Sequence, residues 1–481
     1  MPSNIELLNR QNLDMKKVIL FFLAVITLVA AGKPRNKAEQ GYKIKNGTIV
    51  YNTPERPSDQ VSMIGYADEP MDTVRIGVIG LGMRGPDAVR RFTYIDGAET
   101  VAICDLYPEK LERVQRILEN GGKPRAAEYC GPEGWKELCN RNDIDLVYIV
   151  TGWDTHVPMA IYAMEHGKHV AVEVPAATTV EDCWKLVDTA EKTRRHCMML
   201  ENCVYDFFEL TTLNMAQQGL FGEIIHTEGA YIHNLDPFWN HYQDNWRYIH
   251  NQKTRGDVYP THGMGPACWA LGIHRGDKMN TLVSMDTDPF NGTKLAERNG
   301  DDNYANGDHT ITLIRTEKGK TIEIHHNVVT PRPYDRMYMV EGTEGFACKY
   351  PVEGYAICTQ DRETPQEVNI ENLDGESFVD PATKKALMEQ YQHPIVDTEL
   401  VETAKRIGGH GGMDFIMDYR LIYCLRNGLP LDQDVYDAAE WSCLSELSRV
   451  SIENGCKPVQ MPDFTRGDWN RTEGVKLAIR K

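Results

Sequence analysis

The chain has 481 residues, 41% of them hydrophobic and 25% charged, with a formal net charge of −18. That length is too great for one ordinary core and predicts two domains of roughly 150–250 residues. The acidic balance argues against nucleic acid or an anionic membrane surface as a partner, because both are recognised through clustered Lys and Arg; it suits a neutral small-molecule substrate.

The N-terminus carries Met15-Lys16-Lys17 and then an apolar run, Val18 to Ala31, that closes on Ala30, Ala31 and Gly32. A basic start, a short apolar core and a small-residue end form the pattern of a secretory signal, and the run is short for a membrane span. Residues 1–31 are therefore predicted to be an export signal, with translation starting at Met15 and the mature protein periplasmic or secreted, without stable membrane insertion. Residues 32–72, punctuated by Pro34, Pro54, Pro57 and Pro70, read as a linker or an arm wrapped over the surface. Of the twelve cysteines, Cys104, Cys139, Cys183, Cys197, Cys268, Cys424 and Cys443 fall in apolar-periodic segments, and neither CxxC nor zinc-type spacing occurs. They are read mainly as small buried hydrophobes.

From Arg75 the chain reads RIGVIGLGMRGPDAVRRFTYIDGAETVAICD. An apolar strand, Ile76 to Ile79, turns through Gly80-x-Gly82-x-x-Gly85 into a helix, Pro86 to Tyr94. A second apolar run, Val101 to Cys104, then ends on Asp105. Gly80 permits the tight turn, Gly82 lets a pyrophosphate approach the backbone, and Gly85 lets the helix pack on the strand. The helix N-terminus offers N–H groups and a positive dipole end to the phosphates. Asp105 is placed for the adenosine ribose hydroxyls, where a carboxylate repels a 2′-phosphate. The predicted cofactor is NAD rather than NADP.

Strands and helices keep alternating to residue 203. A helix spans Pro108 to Asn120, and the strand Ile144 to Thr151 ends in a loop, Gly152-Trp153-Asp154-Thr155-His156. A helix from Val157 to His166 follows, then the strand His169 to Val174, a helix from Val180 to Thr193 capped by Thr179, and a strand Cys197 to Cys203. This predicts an α/β fold whose first domain, 73–203, is a doubly wound Rossmann sheet, with ligands at the carboxyl ends of its strands. Those ends carry Gly82, Asp105, residues 152–156, Glu173 and Asn202.

Residues 204–481 follow a different pattern. A helix from Phe207 to Gln218 is followed by strand signals, among them a half-buried hairpin, His309 to Arg315 and Lys320 to His326, around Glu317-Lys318-Gly319. Helices Asp414 to Asn427 and Val435 to Asn454 close the chain and are candidates to pack back on the Rossmann domain. This predicts an α+β substrate domain on an open, mainly antiparallel sheet. Such a sheet has a face to cover, and a homo-oligomer is one way to cover it.

Oxidation of a bound hydroxyl needs a proton acceptor and groups that orient the substrate. Candidates cluster at Glu173, at Glu201 to Tyr205, at Tyr231-Ile232-His233 and at Tyr259-Pro260-Thr261-His262-Gly263. His262 is the best proton-transfer group because imidazole titrates near working pH; Tyr259, three residues before it, supplies a phenol to the same substrate. Neighbouring His325 and His326 lie in a strand and face opposite ways, so they make a poor joint metal site. No metal is predicted.

The first domain and the following sheet resemble the Gfo/Idh/MocA oxidoreductase superfamily. Within it, GLGMRG (80–85), WDTH (153–156), ENCVY (201–205), YPTHGMGP (259–266) and GGHGGMDF (408–415) resemble glycoside hydrolase family 109, the NAD-dependent α-N-acetylgalactosaminidases. The likeness runs from about Thr73 to Trp469. The resemblance implies that NAD is held by Met83, Arg84, Asp105, Trp153, Asp154, Thr155, His156, Glu173, Val174 and Asn202. It places the sugar against Tyr231, Arg247, Tyr259, Pro260, Thr261, His262 and Tyr334. The sequence departs from the superfamily's sugar dehydrogenases at Val174, where they carry the lysine of Glu-Lys-Pro, and at Tyr259 to His262, where their usual Asp is not evident. The implied reaction is oxidation at C3 of the sugar, loss of the C2 proton to His262, Tyr259 or Tyr205, elimination of the aglycone from C1, addition of water and return of the hydride, with NAD recycled in place. The alternatives are an exported NAD-dependent sugar dehydrogenase and a non-catalytic relative.

Overall fold

Val74, Ile76 and Val78 have no exposed surface, as expected for a strand covered on both faces. In the computed structural model, which describes residues 41–358 and 375–479, this strand lies inside a six-stranded parallel sheet. Strands β1 (Tyr42–Lys45) and β2 (Thr48–Tyr51) precede it. The sheet comprises β3 (Val74–Ile79), β4 (Ala98–Asp105), β5 (Ala127–Cys130), β6 (Leu146–Ile149), β7 (His169–Val172) and β8 (Cys197–Met199), in the order β5-β4-β3-β6-β7-β8. Strand order reverses between β3 and β6, and the crevice at their carboxyl ends is where an open α/β sheet takes its ligand. Residues 44–481 form one unit; of the other, 1–43, only residues from Gly41 are described. The expected export signal, 1–31, lies outside the described residues.

Helices α1 (Gly85–Phe92), α2 (Pro108–Asn120), α3 (Gly134–Cys139), α4 (Trp153–Glu165) and α5 (Val180–Thr193) connect these strands. Thr179 caps α5, its hydroxyl accepting the Asp182 N–H at 3.1 Å. Some boundaries differ from expectation: the strand expected over Cys197 to Cys203 ends at Met199, and residues 202–205 form a short helical turn. Residues 153–156 are the first turn of α4 rather than a loop, with Gly152 as the N-cap and Pro158 inside the helix. Pro158 sits within a helix already begun, its missing N–H falling opposite the Asp154 carbonyl.

The second sheet adds β9 (Ile224–Ile232), β10 (Met279–Asp286), β11 (Thr310–Thr316), β12 (Thr321–Asn327), β13 (Met339–Gly342), β14 (Gly345–Cys348), β15 (Gly354–Ile357) and β16 (Val459–Gln460). From β2 its order is β2-β16-β10-β11-β12-β9-β13-β14-β15. The β11–β12 hairpin pairs Ile314 with Ile322. The sheet is mainly antiparallel, with β12 and β9 parallel and β16 parallel to β2, so residues 48–51 of the expected arm join it.

The remaining helices are α6 (Phe207–Gln217), α7 (Trp246–Lys253), α8 (Thr261–Leu271), α9 (Phe290–Asn299), α10 (Pro381–Gln390), α11 (Thr398–Ile407), α12 (Met413–Arg426), α13 (Val435–Ser442) and α14 (Leu444–Glu453). The single helix expected over 435–454 is thus two, joined at Cys443. Both α12 and α13 pack on the first sheet. Fully buried Asp418 of α12 accepts from Arg91 Nε at 2.6 Å and the Tyr148 hydroxyl at 2.9 Å, and Ser442 of α13 accepts the Ala176 N–H at 3.1 Å. Helices α8 and α14 cover one face of the second sheet. On its other face Met285 stands opposite Ile311, with Leu313 two residues on, and all three are exposed.

Candidate active site

The turn after β3 needs glycine in two places. Gly80 has φ +94°, and a Cβ there would lie 2.4 Å from the Val150 carbonyl oxygen; a Cβ at Gly85 would lie 2.1 Å from the Gly80 oxygen. At Gly82 a Cβ would meet nothing within 4 Å, because that face opens on a cavity of about 1550 Å³. The Asp105 carboxylate closes the turn, accepting the Leu81 N–H at 2.7 Å and the Tyr107 N–H at 3.1 Å, with Lys110 Nζ at 3.5 Å. Met83 and Leu106 present bare apolar surface to the same cavity. An open backbone, a helix N-terminus, a carboxylate and apolar walls fit a dinucleotide.

The cavity continues past the ends of β6, β7 and β8. Trp153 Nε1 donates to the Val174 carbonyl at 3.1 Å. The fully buried His156 ring stands between the Pro175 and Thr151 carbonyls at 2.9 and 3.0 Å, which ties two strand ends together. Arg84 spans the floor, its Nε to Glu173 at 3.1 Å and its Nη1 to Asp414 at 3.0 Å. Asp414 also accepts from Asn202 Nδ2 at 2.5 Å and meets His410 Nδ1 at 2.9 Å.

At the far end, α8 lies so close on β9 that a Cβ at Gly229 would be 2.4 Å from the Gly263 oxygen. This approach sets His262, from the first turn of α8, beside Tyr231 of β9, with ring centres 5.5 Å apart. The Tyr259 hydroxyl lies 3.4 Å from His262 Nε2, and His262 Nδ1 faces Glu201 Oε1 and Oε2 at 2.8 and 2.9 Å. Burial pushes the Tyr259 and Tyr231 phenols up, more strongly than the neighbouring Arg247 guanidinium pulls them down. Both therefore keep their protons at neutral pH, and proton acceptance falls to the imidazole.

Arg247 is buried among four rings, 4.4 Å from the centre of Tyr259 and 5.1 to 5.4 Å from those of Tyr242, Trp153 and Tyr231. Its Nη1 donates to the Tyr242 hydroxyl at 2.6 Å, while Nε and Nη2 meet no hydrogen-bond partner among the described residues. Tyr334 lines the wall opposite, edge-on to His233.

The cavity wall thus brings together Gly80, Gly82, Met83, Arg84, Asp105, Trp153, Asp154, Thr155, His156, Glu173, Val174, Asn202, Tyr231, Arg247, Tyr259, His262 and Tyr334. Four expected residues lie off it. Gly85 packs under the turn, and Pro260 and Thr261 are buried at the start of α8. Tyr205 is fully buried, edge-on to Trp269, with its hydroxyl toward Asp432 at 3.4 Å. It does not reach the substrate end, because the short helical turn over 202–205 carries Asn202 to the cavity and Tyr205 into the core.

Sequence reasoning missed Asp414 and the contact between Glu201 and His262. Both carboxylates fall within stretches singled out on other grounds, GGHGGMDF and ENCVY. Glu201, Cys203 and His262 also bring three potential metal-ligand atoms within 4.8 Å of one another.

Residues 74–201 match the oxidoreductase family with NAD-binding Rossmann fold, and residues 205–471 match the glycosyl hydrolase 109 C-terminal domain. The chain is 57% identical over 469 residues to glycosyl hydrolase family 109 protein 1 of Bacteroides thetaiotaomicron, covering 97% of this chain and 100% of that one. It is 59% identical over 435 residues to the glycosyl hydrolase family 109 protein of Porphyromonas gingivalis, covering 90% and 93%. Among solved structures, levoglucosan dehydrogenase in complex with NADH superposes on 81% of this chain and 100% of its own, with a TM-score of 0.61 and 17% identity. That likeness establishes the fold.

Proposed function

The chain belongs to glycosyl hydrolase family 109, an NAD-binding Gfo/Idh/MocA fold, and we propose that it cleaves α-linked N-acetylgalactosamine from glycan ends by NAD-assisted elimination. The observation that carries this reading is a single cavity that joins the dinucleotide cradle to an imidazole, two protonated phenols and a buried guanidinium. Direct glycoside hydrolysis calls for two carboxyl groups flanking the scissile bond. Of the carboxylates on this wall, Asp105 is tied to the glycine-rich turn and Glu173 to Arg84, while Asp154 and Asp244 are exposed.

NAD, when bound, supplies a hydride acceptor for C3 of the sugar, which acidifies the C2–H bond, and it regains its starting state within the cycle. His262 Nε2 takes the C2 proton. The C3 hydroxyl proton passes to water as C3 is oxidised and returns when C3 is reduced. The electron pair of the C2–H bond forms C1=C2 as the aglycone leaves C1 and takes a proton from water; the hydroxide so formed adds at C1, and His262 returns its proton to C2. Tyr259 holds a sugar hydroxyl by donating its own proton. The free N–H groups of Arg247 suit the carbonyl oxygen of an acetamido group, since a buried guanidinium needs an acceptor for each donor.

The test is a release assay with p-nitrophenyl α-N-acetylgalactosaminide and its β, galacto and gluco counterparts, following nitrophenol and 340 nm absorbance together. Nitrophenol in excess of bound NAD, without net NADH, is the expected result. NADH accumulating without nitrophenol would instead identify a sugar dehydrogenase.

Export and self-association belong to the same proposal. The run from Val18 to Ala31 supports export, and N-terminal sequencing of the mature protein tests it. The exposed apolar residues Met285, Ile311 and Leu313 on the open sheet face support a homo-oligomer; a monomer mass by light scattering at micromolar concentration would reject it.

A further inference from the structure

We propose that Glu201 is a positioning residue that fixes the tautomer of His262 and strengthens it as a base. The proposal rests on the reading of His262 as the proton acceptor. Glu201 has no exposed surface, and both its oxygens face Nδ1 of the ring, at 2.8 and 2.9 Å. The carboxylate is itself held: Oε1 accepts the Cys203 N–H at 2.9 Å, and its backbone carbonyl accepts from Gln433 Nε2 at 2.9 Å. Burial raises its pKa, but His262 and the Cys203 N–H outweigh that and hold it below the usual carboxylate range.

An ionised carboxylate only accepts hydrogen bonds, so Nδ1 must carry the hydrogen and neutral His262 keeps its lone pair on Nε2. That nitrogen is the one on the Tyr259 side, toward the cavity. When the substrate C–H bond breaks, its electrons remain on carbon and the proton moves to Nε2. Nδ1 keeps its own hydrogen, and Glu201 stabilises the imidazolium without becoming protonated. His410 also meets a buried carboxylate, but Asp414 is shared with Arg84 at 3.0 Å and Arg91 at 3.7 Å. Among the described residues, the ion pair of Glu201 is with His262 alone.

The neighbouring helix is built around this pair. A Cβ at Gly265 would lie 2.9 Å from Glu201 Cγ, 3.0 Å from Val204 Cγ1 and 3.2 Å from Trp441 Cζ3. The second glycine of YPTHGMGP thus leaves room for the carboxylate behind His262.

The test combines a spectrum and a pH profile on the NAD-loaded protein. With 15N-labelled histidine, the wild type should show His262 as the Nδ1–H tautomer, with a low-field proton signal that disappears in His262→Ala and in Glu201→Gln. This measurement uses no substrate, so it stands or falls independently of the glycosidase assignment. In turnover, Glu201→Gln should lower kcat about 10²–10⁴-fold, the range for a general base. The acid limb of kcat/KM should move to lower pH, as for loss of an adjacent opposite charge. KM and bound NAD should stay unchanged, and Glu201→Asp should recover part of the rate. If Glu201→Gln loses its NAD through misfolding, Gly265→Ala serves instead and should shift the limb in the same direction. An Nε2–H tautomer in the wild type, or an unmoved acid limb in a folded variant, would overturn the proposal.

Discussion

Arg84 Nη1 donates to Asp414 Oδ2 at 3.0 Å, across 330 positions of sequence, and so ties the glycine-rich turn to helix α12. Asp414 is 1% exposed, Arg91 lies 3.7 Å from the same oxygen, and Asn202 donates to the other oxygen. Replacing Asp414 with alanine would open a gap beside two guanidinium groups, leaving Arg84 only Glu173 and Arg91 only Asp418 as carboxylate partners. Removing one partner of a buried ion pair costs about 3–5 kcal/mol. Asp414→Ala should therefore show a large drop in the denaturant midpoint and release NAD on gel filtration, while Asp414→Asn, which preserves shape, should lose less of both. An unchanged midpoint in the alanine variant would contradict the arrangement.

The glycines of the turn should separate folding from cofactor binding. A methyl at Gly80 would meet the Val150 carbonyl at 2.4 Å in a backbone with φ +94°, so Gly80→Ala should destabilise the protein itself. A side chain at Gly82 meets no protein atom within 4 Å of its Cβ. Gly82→Val should fold with nearly wild-type thermal stability once NAD is removed from both proteins, yet copurify with at least tenfold less NAD. Calorimetry of the apoproteins and absorbance of the extracted cofactor check the two halves.

The Rossmann half was legible because its strands are buried on both faces and read as continuous apolar runs, and because the glycine spacing and Asp105 carry a physical reason at each position. The second half was less so. Strand β9, IIHTEGAYI, mixes His226 and Glu228 into an apolar run, since one of its faces is open. In the site, cavity residues lay within recognisable stretches. Periodicity says nothing, however, about which carboxylate meets an imidazole 61 positions away. Tyr205 was misplaced for a related reason: adjacency to Asn202 in sequence does not fix which side of a short helical turn faces the cavity.

Buried histidines give stability a definite acid dependence. His196 and His326 are pushed down to about 3, chiefly by burial. Below the unfolded value near 6.5 the unfolded chain takes up protons that the folded one refuses, so each ring removes about 1.4 kcal/mol per pH unit as pH falls from 6.5 toward 3. His274 runs the other way. Burial alone would lower it, but Asp434, Asp437 and Glu440 hold it at about 10. Its contribution is full below 6.5 and fades as pH rises from there to 10. The urea midpoint should thus peak near neutral pH and fall by pH 5, and His326→Gln should flatten the acid side. A midpoint constant from pH 5 to 7 would rule this out.

Tyr259 and Tyr205 make the sharpest test of which phenol serves the reaction, because both are buried tyrosines whose hydroxyls can be removed with little change in volume. The Tyr205 hydroxyl lies 3.4 Å from Asp432, a carboxylate already bound by Arg420 Nε and Nη2 at 2.7 Å each. Deleting that hydroxyl leaves Asp432 paired and the cavity wall untouched, so Tyr205→Phe should retain kcat and kcat/KM within about threefold, with a stability loss of no more than about 1 kcal/mol, the usual net worth of one hydrogen bond. The Tyr259 hydroxyl stands 3.4 Å from His262 Nε2, and its ring covers Arg247. Tyr259→Phe keeps the ring over the guanidinium but removes a hydroxyl that donates to the sugar, so kcat should fall about 10²–10³-fold, as for loss of one preorganised donor, while bound NAD remains. Steady-state kinetics of the two variants, side by side with their NAD content, decide the matter. Equal losses in both would mean that the hydroxyls act through packing, and a silent Tyr259→Phe would leave His262 working without a phenol beside it.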